Sequence, residues 1–149
     1  QKNMEHVYEM SVSWQANRKG VMSSPVLNTK IEVATPPQFP KGMEGIWSPE
    51  DLFVAAINSC LMTTFLSIAE NSKLEFISFD SKALGKLEMI DGKYIMSEVT
   101  LMPVVTISDE HQKERAERVL QKSEANCLIS NSVKSAIIFK PEIKIAQPA

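Results

Sequence analysis

Residues 52–69 carry no charge, and no other stretch of the chain runs as long without one. Eighteen residues are just enough to cross a bilayer as a helix. This run, however, contains Asn58, Ser59, Thr63, Thr64 and Ser67, with Glu50 and Asp51 before it and Glu70 after it. A helix enclosed by protein, without a membrane, is therefore the expectation. Its entry is well formed: Ser48 suits the N-cap, Pro49 the first helical position, and Glu50 and Asp51 the positive end of the helix dipole. Apolar groups fall on every face, so the helix should be central and covered all round until Asn71-Ser72 ends it. A chain of 149 residues has room for one domain with a core of that kind.

The segments on either side must supply the cover. VYEMSVSW alternates as a strand does, and ANRKG supplies a turn. VMSSPVLNTKIEVAT reads as an edge strand broken by Pro25, followed by a better strand over residues 28–34. TPPQFPKGMEGIW, with three prolines and two glycines, is a loop that contacts rather than its own hydrogen bonds must order. After the central helix, residues 74–88 and 93–107 form two strand-like stretches around Asp91-Gly92, a strong hairpin signal. Pro103 suggests a bulge or an edge in the second. Ser108 then caps a second helix with a narrow buried stripe of Ala116, Val119, Leu120 and Ser123, and Cys127 lies just past its end. AIIFKPEIKIA closes the chain as a strand. The order is strands, long central buried helix, β-hairpin, second helix, final strand: a single α+β domain over residues 1–149.

Charge and residue types narrow the chemistry. A net charge of −2 and a pI near 5.7 argue against a nucleic-acid surface, which needs a basic patch. The two histidines, His6 and His111, and the two cysteines show no metal-ligand spacing, so no metal is expected. Phosphate-binding glycine loops and the G-x-S-x-G pattern are missing as well. QKNMEHVYEM has no apolar signal core, and two cysteines 67 positions apart are no secreted disulfide framework, so the cytoplasm is expected. Only three arginines occur, Arg18, Arg115 and Arg118, and arginine is the better fork for a carboxylate. From spacing alone, Cys60 and Cys127 are either a redox pair or two unrelated core cysteines. Glu50 lies ten residues before Cys60, about 15 Å along a helix, so it cannot touch the thiol of its own helix.

WSPEDLFVAAINSCLMTTFLSIA resembles the central helix of the OsmC/Ohr family, the osmotically inducible and organic-hydroperoxide-resistance proteins. ERAERVLQKSEANCLISNSVKSAI resembles its second helix and second cysteine. ANRKGVMSSPVLNTKIEVATP resembles its N-terminal hairpin in the Ohr-like arrangement, where an arginine opens the turn. The resemblance implies an OsmC-like fold, an intertwined homodimer and thiol peroxidase chemistry. It implies that Cys60 attacks the peroxide, that Cys127 resolves the resulting sulfenic acid as a disulfide, and that Glu50 and Arg18 are the helix-entry glutamate and the hairpin arginine. No bound cofactor is implied. The disulfide would be re-reduced by an external dithiol, often a lipoylated protein in this family. The loop before the helix, which supplies the arginine in the OsmC subgroup, here offers only Lys41, and Leu128 stands where many members have proline after the second cysteine.

If Glu50 serves the same site as Cys60, it must come from another copy of the chain, with two central helices packed antiparallel about a two-fold axis. Phe39, Trp47, Phe53, Met62 and Phe65 are candidate apolar walls for an organic hydroperoxide, or alternatively ordinary core residues. Two other uses of such a chain stay open. One is a small-ligand-binding or carrier protein without peroxidase activity; the other is a hydrolase-like use of Cys60, against which no histidine lies near it in sequence.

Overall fold

A computed structural model describes residues 4–147 and divides into two compact units, one ending at Leu52 and the other beginning at Phe53. The N-terminal unit is built on a three-stranded antiparallel sheet of β1 (Ser11–Ala16), β2 (Lys19–Ser23) and β3 (Ile31–Ala34), in that spatial order. Asn17, at φ 52°, takes the left-handed conformation that the tight β1–β2 turn requires. The strand read as an edge is in fact the middle one. Pro25 lies beyond its end at Ser23, in the connection to β3, so it removes no ladder donor.

The loop over residues 35–47 is ordered in part by its own hydrogen bonds, contrary to expectation: the Phe39 N–H reaches the Pro36 carbonyl at 3.1 Å and the Gly42 N–H the Phe39 carbonyl at 3.0 Å. Met43 donates its N–H to the Thr35 carbonyl at 2.9 Å, the Ala34 N–H reaches the Trp47 carbonyl at 2.8 Å, and Val33 pairs with Trp47. Helix α1 (Pro49–Asn71) begins here on a reciprocal cap. The Ser48 hydroxyl accepts from the Asp51 N–H at 3.1 Å, while the Asp51 carboxylate accepts from the Ser48 N–H and hydroxyl, each at 2.9 Å.

The C-terminal unit holds the rest of α1, helix α2 (Lys113–Ala125) and a four-stranded sheet of β4 (Ser78–Ile90), β5 (Lys93–Ile107), β6 (Ala136–Phe139) and β7 (Glu142–Ile145). Asp91 and Gly92, at φ 50° and 78°, turn β4 back onto β5 as a two-residue hairpin loop with both centres left-handed. β6 and β7 both run parallel to β5, so α2 is the crossover that such pairing needs. Pro103 is neither at an edge nor at a bulge: it is buried in β5, and the irregularity falls at Lys86–Leu87. β5 pairs with β6 up to Leu101 and with β7 from Val104, so Pro103 sits where one partner gives way to the next. The same break divides the closing stretch into two strands at Pro141. Asp109 rather than Ser108 caps the 3₁₀ turn that leads into α2, accepting the His111 N–H at 2.9 Å.

Ile57, Leu61, Phe65 and Ala69 recur every fourth residue on α1 and are fully buried with Val99, Leu101, Val105 and Ile107, the alternate residues of β5. Ala116, Val119 and Leu120 close the same core from α2. By length and composition alone α1 could cross a membrane, yet this stripe seats it as the core helix of the unit. The cover expected all round is present on one side only: Ser59, Met62, Thr63 and Leu66 are exposed. A Schellman turn ends the helix, with Lys73 at φ 56° and the Leu74 N–H on the Ala69 carbonyl at 2.9 Å.

Candidate thiol site

Cys60 lies at the middle of α1, half-buried, and Cys127 is fully buried just past the end of α2; both are free thiols. Asn126 stops α2 by folding back on it, its backbone and side-chain N–H groups both reaching the Lys122 carbonyl, at 3.0 and 2.8 Å. The chain then tightens into a 3₁₀ turn at Ser130–Ser132, with the Asn131 N–H on the Cys127 carbonyl at 3.0 Å. That turn directs the Cys127 sulfur at α1, where it lies 3.9 Å from the Ile57 carbonyl, one turn before Cys60. The two thiols are close enough for each to influence the other's ionisation. Ser130 donates its hydroxyl to the Cys127 sulfur at 3.2 Å, and the Thr64 hydroxyl lies 3.8 Å from the Cys60 sulfur.

The two thiols are tuned in opposite directions. Burial pushes Cys60 up, but the Ile129 N–H, the Cys127 thiol, the Thr64 hydroxyl and the Leu128 N–H together outweigh it and hold its pKa below the ordinary value. Burial pushes Cys127 up as well; hydrogen bonds from Ser130 offset part of this, and the neighbouring Cys60 charge raises it further. One sulfur is thus biased towards the thiolate, and the sulfur beside it towards the thiol. Such a pair can carry nucleophilic attack and disulfide formation. The Leu128 donor exists because this residue is not proline, which has no N–H to give.

Four contributors to this site were not picked out from the sequence. Thr64 is legible in retrospect, since it stands one helical turn after Cys60 on the same face. Leu128, Ile129 and Ser130 carry no comparable signal, because their role depends on how the chain turns after Cys127.

Arg18 and Glu50 lie elsewhere, both lining a groove of about 670 Å³ in the N-terminal unit. Arg18 is exposed on the β1–β2 turn and makes no ion pair among the described residues, whereas its neighbour Lys19 is held by Glu32 at 2.9 Å. Glu50 has one carboxylate oxygen buried with no hydrogen-bond partner among the described residues. Val12, Trp14 and Phe39 add apolar wall to the groove. Among the other candidate walls, Trp47 and Met62 are exposed and Phe53 packs on the core around Ile57. Phe65 belongs to the core instead: it is fully buried, 5.1 Å from the Phe76 ring and 4.8 Å from the Phe79 ring, because it falls on the stripe that faces β5. No group of three or more His, Cys, Asp or Glu side chains is gathered for a metal ion among the described residues.

An α+β architecture with two sheets, a long core helix carrying one thiol and a second thiol brought to it from beyond the crossover helix defines a recognisable class. The model of the OsmC-like protein family matches residues 42–142, and the chain belongs to that family. It is similar to the uncharacterised protein YmaD of Bacillus subtilis, with 22% identity over 95% of each chain. Among solved structures it resembles an OsmC-like protein of unknown function from Vibrio cholerae, with 25% identity, a TM-score of 0.81 and coverage of 92% of this chain and 99% of that one. It also resembles an organic hydroperoxide resistance protein from Elizabethkingia anophelis, with 20% identity, a TM-score of 0.74 and coverage of 96% and 100%.

Proposed function

We propose that the protein is a thiol peroxidase that reduces organic hydroperoxides to alcohols. The Cys60 thiolate attacks the O–O bond, the alcohol departs, and the sulfenic acid left on Cys60 condenses with the Cys127 thiol to a disulfide and water. An external dithiol, such as a lipoyl group, then returns the pair to the free thiols, as suits a reducing cytoplasm. The observation that carries this reading is the placement of the buried Cys127 sulfur against α1, 3.9 Å from the Ile57 carbonyl one turn before Cys60, and the opposite bias of the two thiols supports it. Family membership and the likeness to proteins named for organic hydroperoxide resistance support it.

Arg18 and Glu50 enter as the pair that guides the peroxide and favours the thiolate. The orphaned oxygen of Glu50 needs a donor, and the uncommitted Arg18 on the same groove is suited to give one. Ten residues of helix separate Glu50 from Cys60, about 15 Å, so the complete site takes Glu50 from a second copy in a homodimer. Support for a second copy comes from apolar side chains left exposed, Val12 and Trp14 on β1 and Met62 and Leu66 on α1.

Two experiments test these statements. Counting thiols after one equivalent of organic hydroperoxide should show both lost in the native chain; retention of both contradicts the peroxidase and favours a ligand carrier. Mixing Cys60→Ser with Glu50→Gln protomers, each inactive alone, should restore about a quarter of native activity through heterodimers with one intact site. No recovery despite subunit exchange means that Glu50 does not act across the interface.

A further inference from the structure

The Cys127 sulfur is an unusual leaving place for a proton. It is fully buried, its thiol points at the Ile57 carbonyl from 3.9 Å, and burial opposes its ionisation. Yet to close a disulfide it must attack as a thiolate, because the thiolate is the nucleophile. Among the described residues one side-chain hydroxyl addresses it: Ser130, itself buried, at 3.2 Å. The turn that makes the approach is anchored at both ends, by the Asn131 N–H on the Cys127 carbonyl at 3.0 Å and the Ser132 hydroxyl on the Leu128 carbonyl at 2.9 Å. Ser130 therefore has little freedom to point elsewhere.

We propose that Ser130 is a positioning residue for the resolving step, its hydroxyl hydrogen bond holding the Cys127 sulfur towards Cys60 and stabilising the negative charge that this sulfur acquires as it gives up its proton before attack. The inference rests on the peroxidase reading and goes beyond it by assigning a residue to the second half-reaction. In that step the Cys127 sulfur forms a bond to the Cys60 sulfur, the S–O bond of the sulfenic acid breaks, and the departing hydroxide takes the proton lost by Cys127 as water. The two electrons had already gone to the peroxide. Ser130 keeps its own proton throughout; it donates a hydrogen bond that strengthens as charge builds on sulfur. In the first step, attack of Cys60 on peroxide, it takes part only indirectly, through the Cys127 thiol that helps to lower the Cys60 pKa.

The test is a pair of rates in Ser130→Ala. Oxidation of Cys60 should change far less than the second step, while conversion of sulfenic acid to disulfide, followed by intact mass and by trapping with dimedone, should slow roughly tenfold or more, the scale of a hydrogen bond to a charged group. The pH profile of disulfide formation should move to higher pH, and Ser130→Thr, which keeps a hydroxyl, should recover most of the rate. A purely structural role would slow both steps or leave the pH profile where it is. Unchanged disulfide formation overturns the proposal, as does a slowed step that threonine does not recover. If Ser130→Ala is insoluble, Ser130→Gly makes the same comparison. If the native chain does not oxidise Cys60 at all, the peroxidase reading fails. The thiolate absorbance of Cys127, titrated in Cys60→Ser with and without Ser130→Ala, then decides separately: a higher midpoint without the hydroxyl upholds the contact, and an unmoved one refutes it.

Discussion

Replacing Phe65 by alanine separates a core role from a substrate-wall role for the most enclosed aromatic ring of α1. The ring is wholly buried, with Phe76 edge-on at 5.1 Å and Phe79 tilted at 4.8 Å. Transfer of the side chain from water contributes about 1.5–3 kcal/mol. Each ring pair adds about 0.5–1.5 kcal/mol. The sum agrees with the loss of about 3–5 kcal/mol typical of Phe→Ala in a packed interior. Against a domain stability of roughly 5–15 kcal/mol, that loss is between a fifth and all of the total. Urea unfolding at fixed protein concentration should show the lower midpoint with an unchanged slope, since the surface exposed on unfolding is nearly the same. Phe65→Leu, which refills most of the volume, should cost less than half as much. A loss below about 1.5 kcal/mol, or a KM raised for bulky hydroperoxides at native stability, would refute the core assignment.

Ser48→Ala removes the two hydrogen bonds of the capping hydroxyl, to the Asp51 carboxylate and from the Asp51 N–H, while the residue 48 N–H keeps the carboxylate; it should cost about 1 kcal/mol, read as a lower melting temperature, and no change would mean that the hydroxyl contributes nothing to the cap. The rate of Cys60 alkylation by iodoacetamide should hold below the pH at which an ordinary thiol loses reactivity, because its folded pKa is depressed, and should fall only as pH drops through that depressed value; a midpoint at or above the ordinary thiol value contradicts the assignment. Leu128→Pro, which deletes one of the donors, should move that midpoint upward. Gly42→Ala should disturb the loop before α1, since its Cβ would meet the Pro36 carbonyl oxygen at 1.9 Å; limited proteolysis should cut there faster than in the native chain.

What the chain declares locally is what could be read from it. Lys93–Ile107 runs between the residues expected because Asp91-Gly92 can hardly do anything but turn, and the buried stripe of α2 is set by helical spacing. Whether a strand is central is a property of its neighbours. Lys19–Ser23 was therefore misplaced at an edge, and Pro103 looked misplaced in a strand whose partner changes beside it. The thiol site divides the same way. Spacing leaves Cys60 and Cys127 undecided across 67 positions, and it is the crossover through α2 that brings them together. The exposed side of α1, where Met62 and Leu66 stand beside Ser59 and Thr63, is where expectation and fold differ most, because enclosure all round was expected and one chain covers a single side.

The central claim is that Cys60 and Cys127 form a working redox pair. Stopped-flow mixing of the fully reduced protein with cumene hydroperoxide, followed by intact-mass analysis, tests it most directly. The account predicts rapid consumption of one equivalent and a product lighter by roughly two mass units, the two thiol hydrogens lost to a disulfide, with neither seen in Cys60→Ser. A protein that leaves the peroxide untouched, or that gains oxygen at Cys60 while Cys127 stays a free thiol, contradicts it.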